Sequence, residues 1–177
     1  MTKKAAIVGG GVIGGGWAAR FLLNGWNVAV FDPDPEAERK IGEVLQNARR
    51  ALPGLYQRAL PEEGRLSFHG DLSEAVTGAD WVQESVPERL DLKHEVFEQL
   101  DAAAPQDAVI GSSTSGFKPS ELNRSGSRVI VAHPFNPVYL LPLVELVGDY
   151  EITRQAAEIL EGVDMYPLRL HHEIEAH

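Results

Sequence analysis

His133 and Glu145 are the side chains in this sequence best suited to move a proton. His133 follows the apolar run RVIVA, and Glu145 interrupts the apolar run LVELV. A carboxylate inside such a run is costly unless it is paired. The turn-forming stretch PFNP lies between them, so the two runs can fold back and bring Glu145 to His133. An imidazole held by a carboxylate can take a hydroxyl proton as a general base, with the acid orienting the ring and stabilising the imidazolium. A histidine without such a partner would more often be structural. The hydroxyl-rich stretch GSSTSGF offers Ser115 as a hydrogen-bond partner for a substrate oxygen. Serines at a strand end also do no more than cap turns in many proteins.

Proton removal from a carbinol needs somewhere for the hydride to go, and the N-terminus answers that need. Gly9, Gly11 and Gly14, with Val12 and Ile13 between, form G-x-G-x-x-G between an apolar strand and a helix. In that fingerprint the first glycine permits a tight turn, the second a close approach of backbone to pyrophosphate, and the third close packing of the helix. The free N–H groups and positive end of the helix suit phosphate. A second strand, WNVAVF, delivers Asp32, near the spacing at which the fingerprint carries its ribose-binding acid. Asp32 and Asp34 side by side, with no arginine close behind, favour NAD over NADP. Asp34 is expected to cap the next helix, with Pro35 at its first position.

Further elements must hold these groups. Helical spacing predicts a helix over 35–52, ended by Pro53-Gly54. Its Arg39, Lys40, Arg49 and Arg50 read as a solvated face or, less simply, as phosphate contacts. Short strands are expected at LSF, WVQES and AVI, with a short helix over 72–76. A longer helix buries Leu92, Val96, Phe97 and Leu100, and Glu88 and Lys93 at its start read equally as surface charge or as ligand contacts at the carboxyl end of the preceding strand. Thr153 is expected to cap a helix that stops at Gly162, and a last strand covers 165–170. The expected fold is an α/β, Rossmann-type, doubly wound, mainly parallel sheet with helices on both faces, as one domain over 1–177.

Composition narrows the partners. The net charge is −10, which offers no basic footprint for nucleic acid or anionic membrane. No apolar run approaches membrane-spanning length, and no signal peptide precedes the first strand. The default compartment is the cytoplasm. There is no cysteine. His171, His172, Glu173 and His177 match no zinc spacing, so no metal is expected.

At Gly9–Gly14, Asp32, Glu88, Lys93, Ser115, HPFNP and Glu145 the chain resembles the 3-hydroxyacyl-CoA dehydrogenase superfamily, over essentially its whole length. The resemblance implies NAD as cofactor, nicotinamide-ribose contacts from Glu88 and Lys93, a substrate contact from Ser115, and His133–Glu145 as the catalytic pair. SSTSGF and HPFNPVYLLPLVE are most similar to the branch that oxidises the 3-hydroxyl of carnitine. Fatty-acid members usually carry N-T-S-S-L and H-F-F-N-P, and the L-gulonate branch is another neighbour. A small 3-hydroxy acid is therefore the expected substrate, with Phe117, Asn136 and Tyr139 as candidate contacts. Aromatic faces suit a quaternary ammonium, which has no N–H to donate. Family members continue into a helical second domain that supplies the homodimer interface and part of the substrate pocket. Residues 171–177 read as the start of a linker helix towards it. The 177 residues alone are expected to bind cofactor with little or no turnover.

Overall fold

The structure is a computed structural model that describes residues 2–56, 59–124 and 128–173. Eight strands form one sheet: β1 (Lys4–Val8), β2 (Asn27–Phe31), β3 (Leu66–His69), β4 (Trp81–Glu84), β5 (Val109–Ser112), β6 (Val129–Pro134), β7 (Leu143–Val147) and β8 (Tyr166–Arg169). Their spatial order is β3-β2-β1-β4-β5-β6-β7-β8. Every neighbouring pair is parallel except β6–β7. The order reverses between β1 and β4, and in open sheets ligands bind at the carboxyl ends of strands beside such a reversal.

Helices cover both faces. The first face carries α1 (Val12–Leu23), α2 (Ala37–Ala51) and α6 (Tyr150–Glu161), which bury Trp17, Phe21, Ile41, Leu45 and Leu160. The second carries α3 (Leu72–Val76), α4 (Leu90–Ala103) and the short α5 (Pro119–Leu122), which bury Leu72, Val76, Val96, Phe97 and Leu122. The inner strands β1 and β4 are buried along nearly all their length, the run of apolar residues that a two-sided parallel sheet demands.

Local chemistry moved several boundaries. Asp149, not Thr153, caps α6, because its carboxylate accepts from the N–H groups of Glu151 and Ile152. Thr153 lies one turn inside and donates to the Tyr150 carbonyl. Asp34 closes a turn before α2 instead of capping it, accepting from Glu36 N–H at 2.9 Å, and the helix begins at Ala37. β5 runs on to Ser112 and β6 to Pro134, so the serine stretch and His133 begin on regular backbone. Helix α5 had no periodic signal. His171 to Glu173 bend without forming the expected helix start, and residues 174–177, His177 among them, lie outside the described residues. Among the described residues, no helix is long and apolar enough to cross a membrane.

Candidate active site

The glycine loop joins β1 to α1 at the sheet reversal. Gly9 has φ 103°, and a Cβ there would meet the Ser85 carbonyl oxygen at 2.6 Å. A Cβ on Gly14 would come within 1.8 Å of the Gly9 carbonyl oxygen, so the first turn of α1 packs on the loop at a distance no other residue allows. At Gly11, by contrast, a Cβ would meet nothing within 4 Å. Gly11 is the N-cap of α1, whose N-terminus has no side-chain cap and no acid in its first turn. The bare N–H groups are free for phosphate oxygens. Val12 is exposed and Ile13 half-buried at the mouth.

Asp32 follows β2. Its carboxylate accepts from the N–H of Gly10 and, at 2.7 Å, from that of Asp34. A cleft of about 640 Å³ runs past Gly9, Gly10, Gly11, Asp32, Lys40 and Ser85. Lys40 is thus not merely part of a solvated face. Its ammonium lies 2.5 Å from Asp34, which holds it above the usual lysine range and neutralises it. Arg39 and Arg49 point elsewhere, paired with Glu36, Glu43 and Glu63. The cleft, the bare helix end and the acid at its rim could hold a dinucleotide, with phosphates against Gly9–Gly11 and α1 and a ribose against Asp32.

A smaller cleft of about 200 Å³ adjoins it, lined by Ile13, Ser85, Glu88, Lys93, Ser113 and Ser115. Lys93 lies on the inner side of α4 and is 1 % exposed. Its ammonium donates to Glu84 Oε1 at 2.7 Å and lies 3.2 Å from Glu88 Oε2. Glu84 is wholly buried and also accepts from Val86 N–H and the Ser112 hydroxyl. Sequence reading missed Glu84; its one signal was a carboxylate inside a buried strand. Glu88 accepts from the Thr114 hydroxyl and from Gly116 N–H at 3.0 Å. Burial by itself raises the Glu88 carboxyl, but Thr114, Lys93 and Gly116 outweigh it and hold it below the usual range. Glu88 therefore stays ionised at neutral pH. The α4 start and the β5 end are tied together through it.

His133 and Glu145 are directly opposed in the antiparallel β6–β7 register. His133 Nδ1 lies 3.1 Å from Glu145 Oε2, with side chains 14 % and 10 % exposed. Opposed residues share a face of the sheet. Ile130, Ala132, Val144 and Leu146 point into the first core layer, and Val129, Val131 and Val147 into the second. Alternation puts His133 and Glu145 on the second face. The β5–β6 register, continued past Ser112–Val131, brings His133 level with Thr114. With Nδ1 engaged by the acid, Nε2 is the ring nitrogen that could meet a substrate. The Phe135 ring packs against the imidazole at 5.4 Å between centroids, a contact that strand periodicity did not announce.

Phe117 and Tyr139 are half-buried and rest on opposite core layers, Tyr139 on the first and Phe117 on the second. The sheet separates the two layers against which they pack. Phe117 shares the face of His133. Asn136 is exposed on the turn after β6, where its peptide bond to Pro137 is cis. That turn is held from below by buried Arg20, which donates to the Val138 carbonyl at 3.0 Å and to the Tyr56 hydroxyl at 2.6 Å.

A sheet reversed at a glycine loop, with an acid after the second strand, defines a dinucleotide-binding domain, and comparison gives its family and cofactor. Residues 4–173 match the family described as 3-hydroxyacyl-CoA dehydrogenase, NAD binding domain, and the chain belongs to it. It is 64 % identical to an L-carnitine dehydrogenase/betainyl-CoA thioesterase of Ruegeria pomeroyi, over 98 % of this chain and 37 % of that protein. It is 54 % identical to an L-carnitine dehydrogenase of Mesorhizobium japonicum, over 99 % of this chain and 50 % of that one. The chain thus spans half or less of the length of these relatives. Among solved structures, an NAD⁺-dependent 5-dehydrogenase of a pyridine carboxylic acid superposes with TM-score 0.89 at 29 % identity, covering 99 % of this chain and 60 % of that one. Escherichia coli 3-hydroxybutyryl-CoA dehydrogenase superposes at 0.82 and 25 % identity, covering 96 % and 38 %. The expected fold and cofactor agree with these matches.

Proposed function

We propose that this chain is the NAD-binding part of an enzyme that oxidises the 3-hydroxyl of L-carnitine. The single observation that carries the chemistry is the His133–Glu145 hydrogen bond, with His133 at the carboxyl end of β6, the strand next to β5, after which Ser113 and Ser115 line the smaller cleft. Bound NAD supplies the hydride acceptor. His133 Nε2 takes the hydroxyl proton, Glu145 keeps Nδ1 protonated and stabilises the cation, and Ser115 steadies the substrate oxygen. Glu88 and Lys93 orient the nicotinamide ribose from the smaller cleft. The choice of carnitine is supported by the 64 % identity to the Ruegeria enzyme along almost the whole chain. Phe117 is the aromatic that can meet the quaternary ammonium, a contact of about 0.5–2 kcal/mol.

On the complete polypeptide carrying these residues, kcat/KM for carnitine is expected to exceed that for L-gulonate and for 3-hydroxybutyryl-CoA. A higher value for either competitor defeats the substrate assignment and leaves the proton chemistry standing. Phe117→Ala is expected to raise KM for carnitine with little change in NAD affinity.

Cofactor choice is testable on the 177 residues alone. Asp32→Ala is expected to lose about 1–3 kcal/mol of NADH binding, the worth of a charge-assisted hydrogen bond. Calorimetry of the unsubstituted chain is expected to give tighter binding of NAD(H) than of NADP(H), because a 2′-phosphate would meet Asp32, and the nearby Lys40 is already neutralised by Asp34. Equal affinities would refute the assignment.

A further inference from the structure

Ser85 lies just past β4 and lines both clefts. It ends a hydrogen-bond chain whose directions are set by chemistry. An indole N–H can only donate and a carbonyl can only accept. Trp81 Nε1 donates to Gln83 Oε1 at 3.0 Å, which fixes the orientation of that amide. Gln83 Nε2 then donates to the Ala132 carbonyl at 3.3 Å and to Ser113 Oγ at 2.8 Å. Trp17 Nε1 donates to the same Ser113 Oγ at 3.2 Å. Two donors fill both lone pairs of Ser113, so its own proton goes to Ser85 Oγ, 2.8 Å away. The reverse direction would give Ser113 a third hydrogen to accept. Ser85 is therefore an acceptor within the chain, and its proton is left without an acceptor among the described residues.

Ser85 is shared by the cleft of Gly9–Gly11 and the cleft of Glu88 and Lys93. We propose that the Ser85 hydroxyl donates to an oxygen of the nicotinamide ribose of bound NAD, and that Trp17, Gln83 and Ser113 hold it in that donating state. This rests on reading the smaller cleft as the nicotinamide side. The chain couples α1, β4, the β5 end and β6, so the fold itself orients the hydroxyl before the cofactor arrives, and little ordering cost falls on binding.

The test is titration of this chain and its Ser85→Ala variant with NADH, ADP-ribose and ADP. ADP carries the diphosphate without the second ribose, and ADP-ribose carries both without the nicotinamide. The variant is expected to bind NADH and ADP-ribose about five- to tenfold more weakly, the size of one neutral hydrogen bond. Its ADP affinity is expected to stay within twofold, which also establishes that the variant is folded. NADH affinity within twofold of the unsubstituted chain, or an equal loss for ADP, overturns the proposal. If the unsubstituted chain binds NADH and ADP-ribose no tighter than ADP, the reading of the smaller cleft falls, and the Ser85 proposal with it.

Discussion

His133→Ala is expected to lower kcat for carnitine oxidation at least about 10²-fold, the usual contribution of a positioned general base. The dissociation constant for NADH is expected to stay within twofold. The two quantities separate because His133 lines neither cofactor cleft, while its Nδ1 is already committed to Glu145. Glu145→Gln keeps an oxygen near Nδ1 but removes the charge that stabilises the imidazolium, so its kcat is expected to fall between those of the unsubstituted enzyme and His133→Ala. The checks are steady-state rates followed by NADH absorbance on the complete enzyme, and NADH titration on each variant. A fall in kcat below tenfold for His133→Ala would remove the residue from the chemistry. A parallel loss of NADH affinity would recast it as a structural part of the cofactor site.

The second large effect concerns stability. Lys93→Met is expected to destabilise the domain by about 3–5 kcal/mol, the cost of leaving a buried charge without its partner. Glu84 is the group left behind: wholly buried, ion-paired with Lys93, and supported otherwise, among the described residues, by the Val86 N–H and the Ser112 hydroxyl. For a domain of this size the loss corresponds to roughly 6–20 °C in Tm, at about 2–4 °C per kcal/mol. Removing both charges, Glu84→Gln with Lys93→Met, is expected to recover much of the loss, since a buried pair often contributes little net stability against a neutral replacement. Thermal and urea unfolding of the single and double variants measure this directly. If the double variant is as unstable as the single, the pair is not coupled and the effect belongs to packing.

Lys93 also illustrates why a stability residue and a cofactor residue can coincide. Its ammonium reaches Glu84 on the inside and Glu88 on the cleft side. The inner contact pins the lysine, so the outer one is presented at a set position to whatever enters the cleft.

What the sequence by itself determined is what is local. The strand–glycine–helix order, the acid after the second strand and the alternation of apolar runs with amphipathic helices follow from neighbours within a few residues, and they gave the mainly parallel sheet. The meeting of His133 and Glu145 was also legible, because one turn separates their strands and a carboxylate in LVELV demands a partner. Tertiary structure decided the rest, because it depends on register across strands that are far apart in sequence. Register brings Glu84 beside Ser112 and α4 lays Lys93 over it, so a charge that spacing alone left open between helix surface and ligand contact is buried in an ion pair. Register and the packing of α1 also bring Trp17 and Gln83 to one serine and leave the Ser85 proton pointing away from it. Phe117 and Tyr139, similar to each other as aromatic residues near the site, are divided by the sheet between its two core layers. Side-chain chemistry can be read residue by residue, but the partner of a buried polar group is chosen by the pairing of strands.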